Sequence, residues 1–419
     1  MSAVGKAMQV TGGKDAEAGA PTAPELSSRH RMPALDGLRG LAIIIVLFNH
    51  LGEQGPRVFW RFTEGGIVGV DVFFVLSGFL ITSLLVAEWD HTGSIALGRF
   101  YMRRALRLLP ALFVMIGIVA IAAHTSLVPL HYRAPTLTGI PYALLYATDL
   151  RWVLPGATPL HAGFMDPMWS LSIEEQFYLL WPGILLLVLM FVPNARQSRA
   201  LQLTLIVAAL IQLHRALLFM HGGAMWDRLY ATPDTHTDGL LIGCALAFIV
   251  QRRSPSRRTL AVAGAAGLAT VLVFALFLGP DSGVQPQLYM QYDGFGIVAV
   301  ASAFLLWSLV DRAAPRFIQT PIESRTMRFV GRISYALYLW NYAIFIVLRL
   351  PGVPALPAAI IRLVTVFAVA TASYYLVERY FLRIKLRRWS SPTSLQDLRK
   401  GGPAAASPAT EERPLPGAA

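Results

Sequence analysis

The sequence predicts an all-α, polytopic transmembrane bundle of about ten helices with both termini cytoplasmic. Three observations predict it. Hydrophobic residues make up 55% of the 419-residue chain and charged residues only 14%, more apolar surface than one soluble core can bury. Runs of about 20 mostly apolar residues recur along almost the whole length, which matches a hydrocarbon layer of roughly 30 Å crossed at 1.5 Å per residue. The arginines fall in short stretches between those runs, where they act as topology determinants beside an anionic leaflet.

Taken in order, the apolar windows lie near 35–52, 66–87, 108–128, 168–192, 200–220, 237–251, 259–279, 292–310, 328–349 and 357–381. The basic connections set their direction. Arg252, Arg253, Arg257 and Arg258 mark one connection as cytoplasmic, and Arg379, Arg383, Lys385, Arg387 and Arg388 mark the C-terminal flank likewise. Arg99, Arg103, Arg104 and Arg107 put the connection before 108 on the same side, as Arg196 and Arg199 do for theirs. Both ends of 129–167 then lie outside, so the weak segment 139–154, with Asp149 and Arg151, reads as an interfacial or re-entrant piece packed on protein.

The ends read differently. Met1 to Ser28 has no apolar core of a signal peptide, and the first apolar run is expected to serve as an uncleaved anchor. Residues 1–34 and 389–419 read as disordered cytoplasmic tails flanking a membrane domain over 35–388. The net charge of +12 is accounted for by topology arginines, so lipids and not nucleic acid are the expected partner. The single cysteine, Cys244, lies in an apolar run and leaves no internal disulfide or thiolate metal site.

Ionisable residues inside spans are expensive and therefore mark function first. In LDGLRGLAIIIVLFNH, Arg39 and His50 stand eleven positions apart. On an ideal helix that is three turns plus about 20°, or about 16 Å of rise, so the two share a face. Histidine accepts a proton near neutral pH, and a hydroxyl attacking a thioester must lose one, which makes His50 the candidate general base. Asp71, in GVDVFFVLSGFLI, is expected either to orient His50 or to form a plain interhelical ion pair, while Gly69 and Gly78 permit close helix packing.

Arg103, Arg104 and Arg107, in GRFYMRRALRLLP, suit phosphate recognition because guanidinium groups bind it bidentately; membrane anchoring accounts for the charge equally well. Pro110 is expected to open the following helix. MWSLSIEEQFYLLWP supplies Glu174, Glu175 and Tyr178, with Glu174 and Tyr178 on one helix face. Asp234, His236 and Asp238 stand at a span entrance, and their spacing splits them across helix faces, so no metal is expected. GRISYALYLWNY adds Tyr338 and Asn341. Tyr178, Asp234, Asp238, Tyr338 and Asn341 are the candidate acceptor-binding groups.

In their order these segments, closed by YLVERYFLR, resemble the acyltransferase 3 family of membrane O-acyltransferases, which modify polysaccharides, lipopolysaccharide, Nod factors, peptidoglycan and macrolides. The resemblance runs from about Leu35 to Arg383. It implies that Arg39 and His50 are the required pair of the first helix, that Arg104 and Arg107 form the family's R-x-x-R pair, and that Glu174 is the motif's acid. It further implies acyl transfer, acetyl above all, from cytoplasmic acyl-CoA as co-substrate to a hydroxyl of a glycan or other acceptor, with no tightly bound cofactor, in the cell membrane. His236 stands where many members have arginine, Asn341 where many have histidine, and Tyr380 where proline is usual. With roughly 30 residues after Arg388, no fused hydrolase-like domain is expected. The rival from another class is a proton-coupled transporter, since the same intramembrane residues build proton relays. It would show two similar halves, and the R-x10-H segment has no second copy.

Overall fold

A computed structural model describes residues 32–52, 63–153, 163–191, 196–221, 226–252, 255–278, 289 and 293–388. The expected tails of 1–34 and 389–419 fall outside them, apart from 32–34. Among the described residues the chain is helical and has no strand. The principal helices are α1 (Pro33–Gly52), α2 (Val68–Thr92), α3 (Leu97–Ala123), α4 (Leu130–Leu144), α5 (Met168–Phe191), α6 (Arg196–Met220) and α7 (Asp238–Val250). They continue as α8 (Arg257–Phe277), α9 (Gly294–Val310), α10 (Arg325–Arg332), α11 (Ser334–Val347), α12 (Ala355–Ser373) and α13 (Arg379–Arg388).

Each of the ten expected windows finds a helix, but among the described residues only seven are long and apolar enough to cross a membrane. The shortfall has structural causes. The windows 237–251 and 292–310 become α7, of 13 residues, and α9, of 17. The window 328–349 breaks at Ile333, where α10 and α11 meet at 69°, and counts as an eighth span only if the bent pair is taken together. Within 130–153 no helix passes the test; α4 carries Pro135 and Pro141 in its interior.

α3 starts well before its window, and Pro110 lies inside it instead of opening it. Its arginine-rich first turns are held by Glu88 at the end of α2, which bonds the Ala96 amide at 3.2 Å and pairs with Arg103 at 3.6 Å. A hydropathy window misses such turns because it counts the guanidinium and not the apolar stem beneath it. Gly93 ends α2 in the left-handed conformation (φ 68°) and returns its N–H to the Trp89 carbonyl at 2.8 Å.

Two apolar clusters form the core, one joining α2, α3, α5, α7, α11 and α12, the other α8, α9 and the far faces of α1 and α2. α1 and α2 contribute to both and are the centre of the bundle. The tightest seam is α2 against α7, where a methyl group at Gly78 would collide with the Leu240 carbonyl and one at Gly243 with the Val75 carbonyl. Gly69, as its sequence context predicts, meets α1 at the Ala42 carbonyl. α10 is pressed equally closely on α1, through Gly331 against the Asp36 carbonyl and Gly40 against the Met327 carbonyl.

Candidate functional site

α10 packs closely on α1, and after the bend at Ile333 the start of α11 faces α3 and α5. Two cavities occupy this region. The smaller, of about 70 Å³, is lined by Phe73, Phe74, Ser77, Ser170, Glu174 and Tyr338 among others. The larger, of about 330 Å³, has Met32, Asp36 and Lys385 in its wall. Arg39, Arg104, Arg107, Ser334 and Tyr335 line both cavities and form the waist between them.

The three waist arginines are not equivalent. Arg104 is already matched: it donates from Nε and Nη2 to Glu175 Oε1, at 3.0 and 2.7 Å, and from Nη2 to Glu174 Oε1 at 3.1 Å. Its guanidinium carbon lies 3.3 Å from the centre of the Tyr178 ring, a cation–π contact. Glu174 Oε1 also accepts from Ser77 Oγ at 2.6 Å and from the Tyr178 hydroxyl at 2.8 Å. Two carboxylates on one guanidinium leave Arg104 no surplus positive charge, and Glu175 faces this arginine. Arg39 and Arg107, by contrast, have no ion pair with a carboxylate among the described residues. Arg103 points away from the waist to Glu88.

His50 lies outside the residues lining the two cavities, at the other end of α1. Its Nδ1 is 2.5 Å from Asn341 Oδ1. The Asn341 amide nitrogen donates to the Leu337 and Tyr338 carbonyls, both at 2.8 Å, which fixes the amide with its oxygen toward His50. The imidazole must therefore carry its proton on Nδ1 and present the lone pair of Nε2, the tautomer a general base requires. The Tyr342 ring packs edge-on at 5.3 Å. Asn341, expected to face an acceptor, is fully buried and its amide serves His50 and the α11 backbone.

Asp71 does not orient His50. Its Oδ1 lies 2.9 Å from Nε2 of His236, whose Nδ1–H donates to the Tyr230 carbonyl at 2.6 Å. Sequence spacing gives the face Asp71 occupies but not which neighbouring helix covers that face. Of the two expectations for Asp71, the interhelical pair is the one present. Beside it, the fully buried Arg215 of α6 binds both oxygens of Asp238, at 3.2 and 3.1 Å, the Thr235 carbonyl at 2.6 Å and Asp293 at 2.6 Å. Asp238 is thus held inside the protein and closed to an acceptor. Asp234 is partly exposed and pairs with Arg228 at 2.5 Å and His214 at 3.2 Å. Tyr338 reaches the smaller cavity while its hydroxyl bonds the Pro167 carbonyl at 2.6 Å and Ser170.

Arg215, Asp293, Lys385 and Glu378 escaped the sequence reading as site groups. A lone cation in a span, as Arg215 is in LIQLHRALLF, was the signal available for the first.

An acyltransferase domain family matches residues 32–378. The chain is 34% identical over 367 residues to a peptidoglycan O-acetyltransferase of Listeria monocytogenes, covering 84% of this chain and 56% of that protein. It is 29% identical over 367 residues to an O-acetyltransferase of Staphylococcus aureus, covering 84% and 58%. The chain thus spans little more than half the length of these relatives. No solved structure matches it. With the family matched over most of its length, the chain belongs to that acyltransferase family.

Proposed function

We propose that this member of the acyltransferase family is an integral O-acetyltransferase of the cell membrane, moving an acetyl group from cytoplasmic acetyl-CoA to a hydroxyl of a glycan, peptidoglycan first. The observation that carries the reading is the pair of cavities meeting at Arg39 and Arg107, two guanidinium groups that lack a carboxylate partner among the described residues. Two guanidinium groups beside a cavity, neither held in an ion pair, suit a polyanion, and the diphosphate of CoA supplies one. The relatives' names point to peptidoglycan as the acceptor.

In this reading the diphosphate sits at Arg39 and Arg107, on the side of the cytoplasmic arginines. From Arg39 to His50 the helix rises about 16 Å, a length that an extended pantetheine arm matches. The acceptor hydroxyl enters from the outer side. Its oxygen attacks the thioester carbonyl carbon while His50 Nε2 takes the proton; the C–S bond breaks and the imidazolium returns that proton to the departing CoA thiolate. Asn341 keeps the imidazole in the competent tautomer. Glu174 acts by fixing Arg104 at the waist, and Asp71 serves the interior packing.

The test is transfer of radiolabelled acetyl groups from acetyl-CoA to peptidoglycan fragments by the purified full chain in detergent. His50→Ala should lower the rate about 10²–10⁴-fold, the usual contribution of a general base, with the unfolding midpoint unchanged. Wild-type turnover by the variant would remove His50 from the chemistry. If the native chain neither bound nor consumed acetyl-CoA, the donor would be wrong.

A further inference from the structure

Beside the His50–Asn341 pair stands a side chain that the reaction just described does not use. His50 lies in the last turn of α1, half-buried between the buried Asn49 and Leu51. Asn49 donates from Nδ2 to the Thr63 and Glu64 carbonyls, at 3.2 and 3.1 Å, and so holds residues 63–64 against its flank of the helix. Asn341 meets the imidazole at Nδ1 from a fully buried position. Tyr342, the next residue of α11, is half-buried and meets it with its ring, the centroids 5.3 Å apart and the planes inclined at 69°.

That contact matters because of what His50 must reach. A hydroxyl that gives its proton to Nε2 comes within about 2.6–3.2 Å of that nitrogen. The molecule carrying the hydroxyl then has to rest against the accessible side chains that border the imidazole, and Tyr342 is one of them. A phenol ring offers a flat apolar face bearing a negative π cloud, and with two side-chain torsions it loses little entropy when held in place. A pyranose offers the complement, a face of C–H groups made electron-poor by the neighbouring oxygens. A linear alcohol or a glycerol backbone has no such face. The interfacial preference of tyrosine would be met anywhere around the outer rim of the bundle; contact with the candidate base singles out this one.

We propose that Tyr342 is the stacking platform of the acceptor site, holding the pyranose ring whose hydroxyl is presented to His50. The inference rests on His50 as the general base and on a glycan as the acceptor. It divides the labour along α11: Ser334 and Tyr335, at its start, line the waist assigned to the donor, and Tyr342, two turns further on, receives the acceptor. It also makes the site selective for a ring-shaped acceptor over a linear polyol.

The test measures KM for peptidoglycan fragments and, separately, for acetyl-CoA, using the full chain in detergent beside its Tyr342→Leu and Tyr342→Phe variants. Leucine removes the ring and should raise KM for the fragments about three- to tenfold with KM for acetyl-CoA unchanged, whereas phenylalanine keeps the ring and should leave both as they are. Equal rises for both substrates would make Tyr342 a packing residue and overturn the platform. So would a lower kcat and a shifted pH profile with an unchanged KM for the fragments, because Tyr342 would then act only on His50. Should Tyr342→Leu fail to fold, Tyr342→Trp decides: its wider face should keep or lower KM for the fragments, and a raised KM would sink the proposal. A native chain that acetylated no fragment would instead refute the acceptor on which the platform depends.

Discussion

Two groups of charges lie inside this bundle and are built on opposite principles. Around Arg215, one guanidinium meets Asp238 and Asp293, the Asp71–His236 pair packs nearby, and Phe74, Trp169, Tyr230 and Phe295 enclose the His236 ring. At the waist, three arginines face open space and only Arg104 is matched by carboxylates. The first group is paired and mostly buried, the second only partly paired and beside a cavity. A buried charge by itself therefore says little; what distinguishes a scaffold from a site is whether its partner is part of the chain or has to arrive.

The sharpest test of that distinction is Arg215→Met. Removing one partner leaves Asp238 buried without its cation, and the variant should lose about 3–5 kcal/mol of stability, read as a lowered unfolding midpoint in detergent. An unchanged midpoint would break the comparison. Arg107→Met should behave in the opposite way. It forms no ion pair with a carboxylate among the described residues, so the midpoint should change little while KM for acetyl-CoA increases about ten- to a hundredfold, the loss of a charged hydrogen bond of roughly 1.5–3 kcal/mol. Unfolding of this variant would place the waist with the scaffold.

The smallest effect is expected where charges are matched but wet. The Asp234 side chain is 44% exposed, and Asp234→Asn should cost at most about 1 kcal/mol, less at high salt. Partial burial works to raise its carboxyl pKa, but hydrogen bonds from Arg228, Thr232 and His214 outweigh it and hold the pKa below the usual carboxylate value. A depressed folded pKa means the contribution is present above the unfolded pKa and lost as pH falls through the folded one. Unfolding midpoints of the native chain and Asp234→Asn should therefore converge in acid. Divergence there would reverse the sign assigned to this pair.

Much of the site was legible because helical spacing is a local property. The eleven residues between Arg39 and His50 give their common face, and the i,i+4 relation of Glu174 to Tyr178 reappears as a 2.8 Å hydrogen bond. Partners across helices were not legible, since they depend on which helices adjoin. Asp71 could pair with His50 or with another neighbour by spacing alone, and Asn341 gave no sign that its amide would meet His50 instead of a substrate. Span counting failed for a related reason. Hydropathy detects apolar content but not the break at Ile333, nor how short a helix becomes when protein covers its ends. Lys385 and Glu378 read as a basic flank and a closing motif because nothing local shows that α13 folds back on α3.

The glycine seam between α2 and α7 also bears on how the protein sits in lipid. With 13 residues α7 is about 20 Å long, well short of a hydrocarbon layer of roughly 30 Å. Its depth cannot be set by matching the bilayer. Backbone contact at Gly78 and Gly243 sets it, and the Arg215–Asp238 pair closes its first turn where headgroups would otherwise have to reach. The centre of the bundle is thereby insulated from hydrophobic mismatch: thicker or thinner membranes will tilt the outer helices while the inner seam keeps its register.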